Sequence, residues 1–241
     1  MLQYQHIMFK CLKAIALTAT LSSAGALAGG DVQDYSAAER LLFMSNHLAG
    51  VTPPTSLHYA YRKSGSLEEG FEDHVSVELK PQPDGSCCVG SGEFLTDARR
   101  TVVPEIEGAT GNPVILYFLE HDVRNMQRLT QGQPNHFRKR IRMAVYNDAK
   151  VQERVARYRG NDITVTEIVI DPYRDDPNRP RFEKFAHKAY QFYMSDAVPG
   201  GVYAIRTVMS ASDDASPPLI LEELLVDGAE RLDSSLAAKE S

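Results

Sequence analysis

Cysteine and long apolar runs are both scarce in this 241-residue chain, and each shortage excludes something. Its three cysteines are Cys11, Cys87 and Cys88. Their spacing fits neither a zinc site nor a multi-bridge disulfide framework. Cys87 and Cys88 are adjacent, and consecutive Cα atoms across a trans peptide lie ~3.8 Å apart, short of the usual disulfide range of ~4.4–6.8 Å. A bond between them would therefore be strained. The pair reads as one small apolar residue facing in and one facing out, with a redox-sensitive or metal-capturing pair as the alternative. No apolar stretch approaches the roughly 20 residues that span a bilayer. A basic surplus is missing too: the formal net charge is −6, which argues against general nucleic-acid binding and gives little attraction to anionic membrane surfaces.

The first 28 residues have a grammar of their own. Lys10 and Lys13 lie in a basic segment without acid, Ala14 to Leu27 is weakly apolar, and Ala26-Leu27-Ala28 is a small-x-small signature before Gly29-Gly30. This is the pattern of a secretory signal peptide cleaved near Ala28-Gly29, with Met8 as an alternative start. Cys11 is not preceded by the residues of a lipoprotein cleavage site. The reading therefore predicts a signal peptide over 1–28, one mature domain over 29–233 with a charge of −8 (24 basic and 32 acidic residues), a polar tail over 234–241, and a periplasmic or secreted location.

Most of the mature chain shows period-two patterning. A helix is predicted over Asp34 to Leu48, from Ala38, Leu41, Leu42 and Leu48. Leu57, Tyr59 and Tyr61 alternate with polar neighbours, as do Val75, Val77 and Leu79. Pro83-Asp84-Gly85 turns the second strand into Cys87 to Leu95, a predicted hairpin. Val114 to Leu119 is an apolar run, and Glu120 to Thr130 reads as a helix stopped by Gly132. Phe137 to Tyr146 reads as a strand, Asn147 to Arg159 is ambiguous and fits a helix capped at Gly160, and Ile163 to Ile170 is a β-branched strand. Lys188 to Ser195 and Val202 to Met209 flank a second hairpin turn, and Leu219 to Val226 is the last strand. Short connections make the sheet antiparallel, and its apolar face needs a cover. The fold class is mainly β (α+β): a curved antiparallel sheet or unclosed β-barrel wrapped around one or more helices.

In order of elements (signal peptide, leading helix, long antiparallel sheet, helix inserted mid-chain), the chain loosely resembles the LolA/LolB-type periplasmic lipoprotein carriers. That resemblance implies an apolar cavity under a helical lid. It rests on no motif, so no functional residue is carried over.

Chemistry-bearing residues are read against their structural roles. Glu120 and His121 could form an acid/base pair of a hydrolase, though no Gly-x-Ser-x-Gly nucleophile motif accompanies them. As structure, Glu120 pairs with Arg124 at i,i+4. On a strand, Arg138, Arg140 and Arg142 share one face, fit to grip an acidic partner or a phosphate-rich headgroup, or simply to stay solvated. Lys139 would then lie among Phe137, Ile141, Met143 and Val145, and Glu167 among Ile163, Val165 and Val169. Charges on apolar faces must be paired, wetted or near a rim. Tyr59 and Tyr61 are core packing or pocket lining. Asp171, Asp175 and Asp176 match no EF-hand spacing. The function predicted is non-covalent binding or carriage of a lipid or other apolar ligand on the concave face, with Lys139, Glu167, Tyr59 and Tyr61 as ligand-binding residues and no cofactor or metal. The alternative is a protein-interaction or assembly factor gripping its partner through Arg138, Arg140 and Arg142.

Overall fold

The computed structural model describes residues 35–210 and 217–232, all within the second of two units divided after Asp34. The predicted signal peptide and the tail over 234–241 lie outside the described residues.

Ser36 opens the first helix with a capping box: its hydroxyl accepts from Glu39 N and its own N–H reaches the Glu39 carboxylate. Helix α1 runs Ala37–Glu39 and widens into a π-type turn over Arg40–Met44. Strands β1 (Thr55–Ser64), β2 (Phe71–Pro81) and β3 (Cys87–Phe94) follow as an antiparallel meander. Leu57, Tyr59 and Tyr61 of β1 and Val75, Val77 and Leu79 of β2 are buried while their neighbours face out, so the predicted alternation holds. The β2–β3 turn is fixed by Asp84, which accepts from Ser86 N and Oγ, and by Gly85 at φ 83°. Cys87 and Cys88 are joined by a disulfide across a cis peptide bond, rather than set one in and one out as separate thiols.

The middle of the chain departs from the sequence reading. Helix α2 spans Pro113–Thr130, capped by the Asn112 side chain with Pro113 at its start, so the apolar run Val114 to Leu119 is the first half of one long helix. Pro at the first helical position forfeits no hydrogen bond. Glu120, His121 and Asp122 therefore lie mid-helix rather than at the helix start expected at Glu120. The predicted strand Phe137 to Tyr146 is also helical: α3 spans Pro134–Asn147. It buries Phe137, Ile141, Ala144 and Val145, which is i, i+4, i+7, i+8 spacing. The ambiguous segment is strand β4 (Lys150–Tyr158), turning through Arg159 (φ 49°) and Gly160 (φ 81°) into β5 (Asn161–Ile170). Two consecutive left-handed residues match a tight hairpin. Val151 and Val155, which suggested a helix, are among its exposed residues.

Strands β6 (Lys188–Met194), β7 (Val202–Met209) and β8 (Ile220–Val226) complete an eight-stranded sheet in the order β3-β2-β1-β8-β7-β6-β5-β4, every neighbouring pair antiparallel. The sheet is curved and unclosed. Edge β3 is covered by the 101–106 segment through bridges Phe94↔Thr101 and Gly90↔Ile106, which satisfies backbone groups an open edge would expose. Helices α1, α2 and α3 each lie against the sheet: α2 touches β3 and β7, α3 touches β5, and α1 touches β4 and α3. Ser36 Oγ also donates to Val145 O at 3.0 Å, tying the start of α1 to α3.

Candidate ligand site on the helical layer

Helix α2 presents two stripes with different chemistry. Phe118, His121, Asp122 and Asn125 recur at i, i+3, i+4, i+7 and turn toward the sheet. Leu116, Leu119, Glu120 and Val123 recur in the same way and turn toward α1 and α3.

The first stripe meets a buried ionic network. Lys188 of β6 is ion-paired to Asp122, and the Tyr190 hydroxyl donates to the same carboxylate at 2.5 Å. Glu222 of β8 accepts from Tyr61 Oη (3.0 Å), Asn125 Nδ2 (3.2 Å) and Thr207 Oγ1 (3.2 Å), with Lys188 Nζ at 3.7 Å and Lys63 Nζ at 4.0 Å. Lys63, Glu222, Thr207 and Tyr190 stand side by side in the strand register. Burial pushes the Asp122 carboxyl up. Burial opposes the Lys188 charge, but Asp122 and Glu222 outweigh it and hold its pKa above the usual lysine value. At the network's outer end, Glu68 accepts two bonds from Arg128 and one from Lys63. The Arg128 contact, joined by Lys63, lowers its carboxyl to about 2.

The second stripe floors a groove of about 630 Å³ between α1, α2, α3 and the 103–106 segment. Phe43, Val103, Ile106, Leu116, Leu119, Val123 and Ile141 form its walls. Phe43 and Leu116 are 42% and 50% exposed, so a wide apolar surface faces the groove. Arg124, Arg138 and Arg142 also line it, together with Glu39 and Glu120. Arg138 forms a two-pronged contact with Glu120 (2.8 and 3.0 Å), and Arg124 reaches Glu120 at 3.4 Å. Among the described residues Arg142 has no hydrogen-bond or ion-pair partner.

The residues singled out from sequence fall in several places. Tyr59 and Tyr61 lie on the helix-facing side of the sheet, fully buried: Tyr59 accepts from Asn112 at 2.8 Å and Tyr61 donates to Glu222. Glu167 lies on the opposite face, in register with Tyr193, and is enclosed by Tyr193 (2.8 Å), Arg154 (3.0 Å) and Gln152. Its charge is paired rather than wetted. Lys139 is exposed on α3, because a helix turns it away from Phe137 and Ile141. The same geometry separates the arginine row. Arg138 and Arg142 are one helical turn apart and both reach the groove, whereas Arg140 turns to the 171–176 loop, donating to Pro172 O at 3.0 Å and pairing with Asp176 at 3.4 Å. Glu120 and His121 point to different sides of α2 and form no acid/base pair. Asp171 and Asp176 are engaged by Arg174 and by His136 and Arg140.

Sequence reasoning missed Asp122, Lys188 and Glu222. One signal was legible: Glu222-Glu223 sits inside the apolar strand Leu219 to Val226, and period two sends one of two consecutive carboxylates to each face.

No protein-family model matches the chain, and a search of curated proteins gives no match. Among solved structures, the chain is similar to the Mycobacterium tuberculosis lipoprotein LppX, at 10% identity over 78% of this chain and 93% of that one, with a TM-score of 0.31. At that level the fold assignment rests on the strand order and register described above.

Proposed function

We propose that the protein binds a lipid-like amphiphile without covalent chemistry, holding the apolar part in the groove between α1, α2 and α3. The observation that carries this reading is the groove itself. Its volume lies within the ~300–1,000 Å³ usual for small-molecule sites, and its walls keep Phe43 and Leu116 partly exposed. An exposed apolar surface of this kind is retained where something covers it. Burying it supplies about 25 cal/mol for each Å² removed from water.

The guanidinium groups at the groove favour an amphiphile over a neutral hydrocarbon. Arg124 and Arg138 share one carboxylate, Glu120, and Arg142 leaves one positive charge available to an anionic head. The helix-facing side of the sheet, where the sequence reading put the ligand, is taken up by α2 and its ionic network. The site proposed here lies one layer further out. In this reading the chain is exported after loss of residues 1–28 and meets its ligand outside the cytoplasm.

Titration with dansyl-undecanoic acid, a fluorescent fatty-acid probe, tests the proposal. Blue-shifted, saturable emission is expected, weakened about tenfold or more by Leu116→Asp. Leu116 is half exposed, so the variant should fold, and unchanged circular dichroism would show that it does. Absence of saturable emission from the folded wild-type protein would overturn the reading.

A further inference from the structure

A second pocket lies on the other side of the same helix. It encloses about 380 Å³ between α2, β1 and the 95–101 segment, and it opens onto the ionic network. Arg124 lines both this pocket and the apolar groove. The covering segment is shared as well: Arg99 and Thr101 border the pocket, while Val103, Pro104 and Ile106 border the groove. The two spaces are therefore adjacent along one helix and under one strap.

The pocket's lining is rich in hydrogen-bond donors. Lys63, Arg99, Arg124 and Arg128 line it, Lys63 and Arg128 already paired with Glu68, and Glu222 is the carboxylate among the lining residues. That carboxylate is already engaged by Tyr61, Asn125 and Thr207. Arg99 uses Nε for Asp73 at 2.8 Å and lies 4.6 Å over the Phe71 ring, and Arg124 uses Nε for Glu120. The terminal nitrogens of both guanidiniums remain for another acceptor.

The floor adds a donor by relay. An amide nitrogen only donates, so Asn125 Nδ2, 3.2 Å from Glu222 Oε1 and 3.0 Å from His121 Nε2, gives a proton to each. His121 Nε2 is then an acceptor. Burial lowers the imidazole pKa to about 4, so the ring is neutral at pH 7 and carries its proton on Nδ1. Nδ1 lies 3.1 Å from Thr101 Oγ1 and donates to it. The Thr101 hydroxyl proton is left for a further acceptor at the pocket wall.

We infer that this pocket takes the anionic headgroup, a phosphate or carboxylate, of the amphiphile whose chain occupies the groove. The inference rests on the function proposed above. Arg124 stands at the junction of head and chain, Arg99 supplies guanidinium donors, and Thr101, set by His121 and Asn125, supplies a neutral one. Charge-assisted bonds to such a head are roughly twice as strong as neutral ones, which makes the pocket a selector for head charge.

Calorimetric titration separates the two proposals. The probes are dodecyl phosphate and dodecyl maltoside, each below its micelle concentration, and inorganic phosphate. Wild-type protein is expected to bind dodecyl phosphate about tenfold more tightly than dodecyl maltoside. Arg99→Ala and Thr101→Val should bring that preference below about threefold, and Thr101→Ser should retain it. Leu116→Asp should weaken both detergents together. Equal wild-type affinity for the two detergents overturns the headgroup pocket and leaves the groove standing. Binding of neither detergent overturns both proposals. Inorganic phosphate binding as tightly as dodecyl phosphate, with no response to Leu116→Asp, assigns the pocket to a free anion and overturns the shared amphiphile.

Discussion

Lys188 of β6 and Asp122 of α2 are ion-paired with both side chains buried, 66 residues apart in sequence. Helix α2 is thus pinned to the sheet by charge as well as by its apolar face. Removing one partner strands the other in a low-dielectric site, which usually costs about 3–5 kcal/mol, whereas replacing both with apolar residues of similar volume is often near neutral. Asp122→Leu alone should destabilise by about that amount, and Asp122→Leu combined with Lys188→Met by distinctly less. Urea unfolding of the three proteins measures both.

His121 makes folding acid-sensitive. Its folded-state pKa is lowered by burial to about 4, against 6.5 for the free side chain. Between those values the unfolded chain binds the extra proton. Stability is therefore fully present above pH 6.5 and declines as the pH falls toward 4. The decline attributable to this residue is up to about 3 kcal/mol. His121→Gln should flatten the stability curve between pH 6.5 and 4 while leaving the separate loss below pH 4.5, which includes Glu68. Thermal melts across that range read the difference.

Helix α3 predicts unequal effects at two nearby positions. Ile141 is 4% exposed and Lys139 faces solvent. Ile141→Ala should cost about 2–5 kcal/mol, and Lys139→Ala should stay within about 0.5 kcal/mol. Were the segment a strand, both side chains would lie on one face. Urea titration of the two variants distinguishes these cases.

That segment also shows where a sequence is ambiguous. Phe137, Ile141 and Val145 are spaced by four, which satisfies period two as well as period 3.6. The helix is marked by Ala144, one step before Val145 on the buried face, and by Pro134 at its first position. The sheet was legible because β1 and β2 alternate apolar and polar residues, β5 to β8 are rich in β-branched, aromatic or other apolar residues, and clear turns separate most strands. Strand β4 was not, since an edge strand exposes Val151 and Val155 and owes its shape to pairing with β5. The ionic network was the least legible part. Its members are unremarkable charges on separate elements, and only the register β1-β8-β7-β6 places Lys63, Glu222, Thr207 and Tyr190 in one row.

The groove predicts a division between stability and binding. Phe43 and Leu116 are half exposed, so Phe43→Ser and Leu116→Ser should alter unfolding free energy by no more than about 1 kcal/mol. They should weaken dansyl-undecanoate binding several-fold, read by the same fluorescence titration. Val155→Ser, at an exposed site on β4 outside the groove, should leave binding unchanged.

Native mass spectrometry of the protein isolated from the cells that make it tests the central claim most directly. The account predicts a wild-type chain carrying a discrete amphiphile mass that organic solvent extracts, and a Leu116→Asp chain from the same cells that is bare. Wild-type and variant chains arriving equally bare would contradict it.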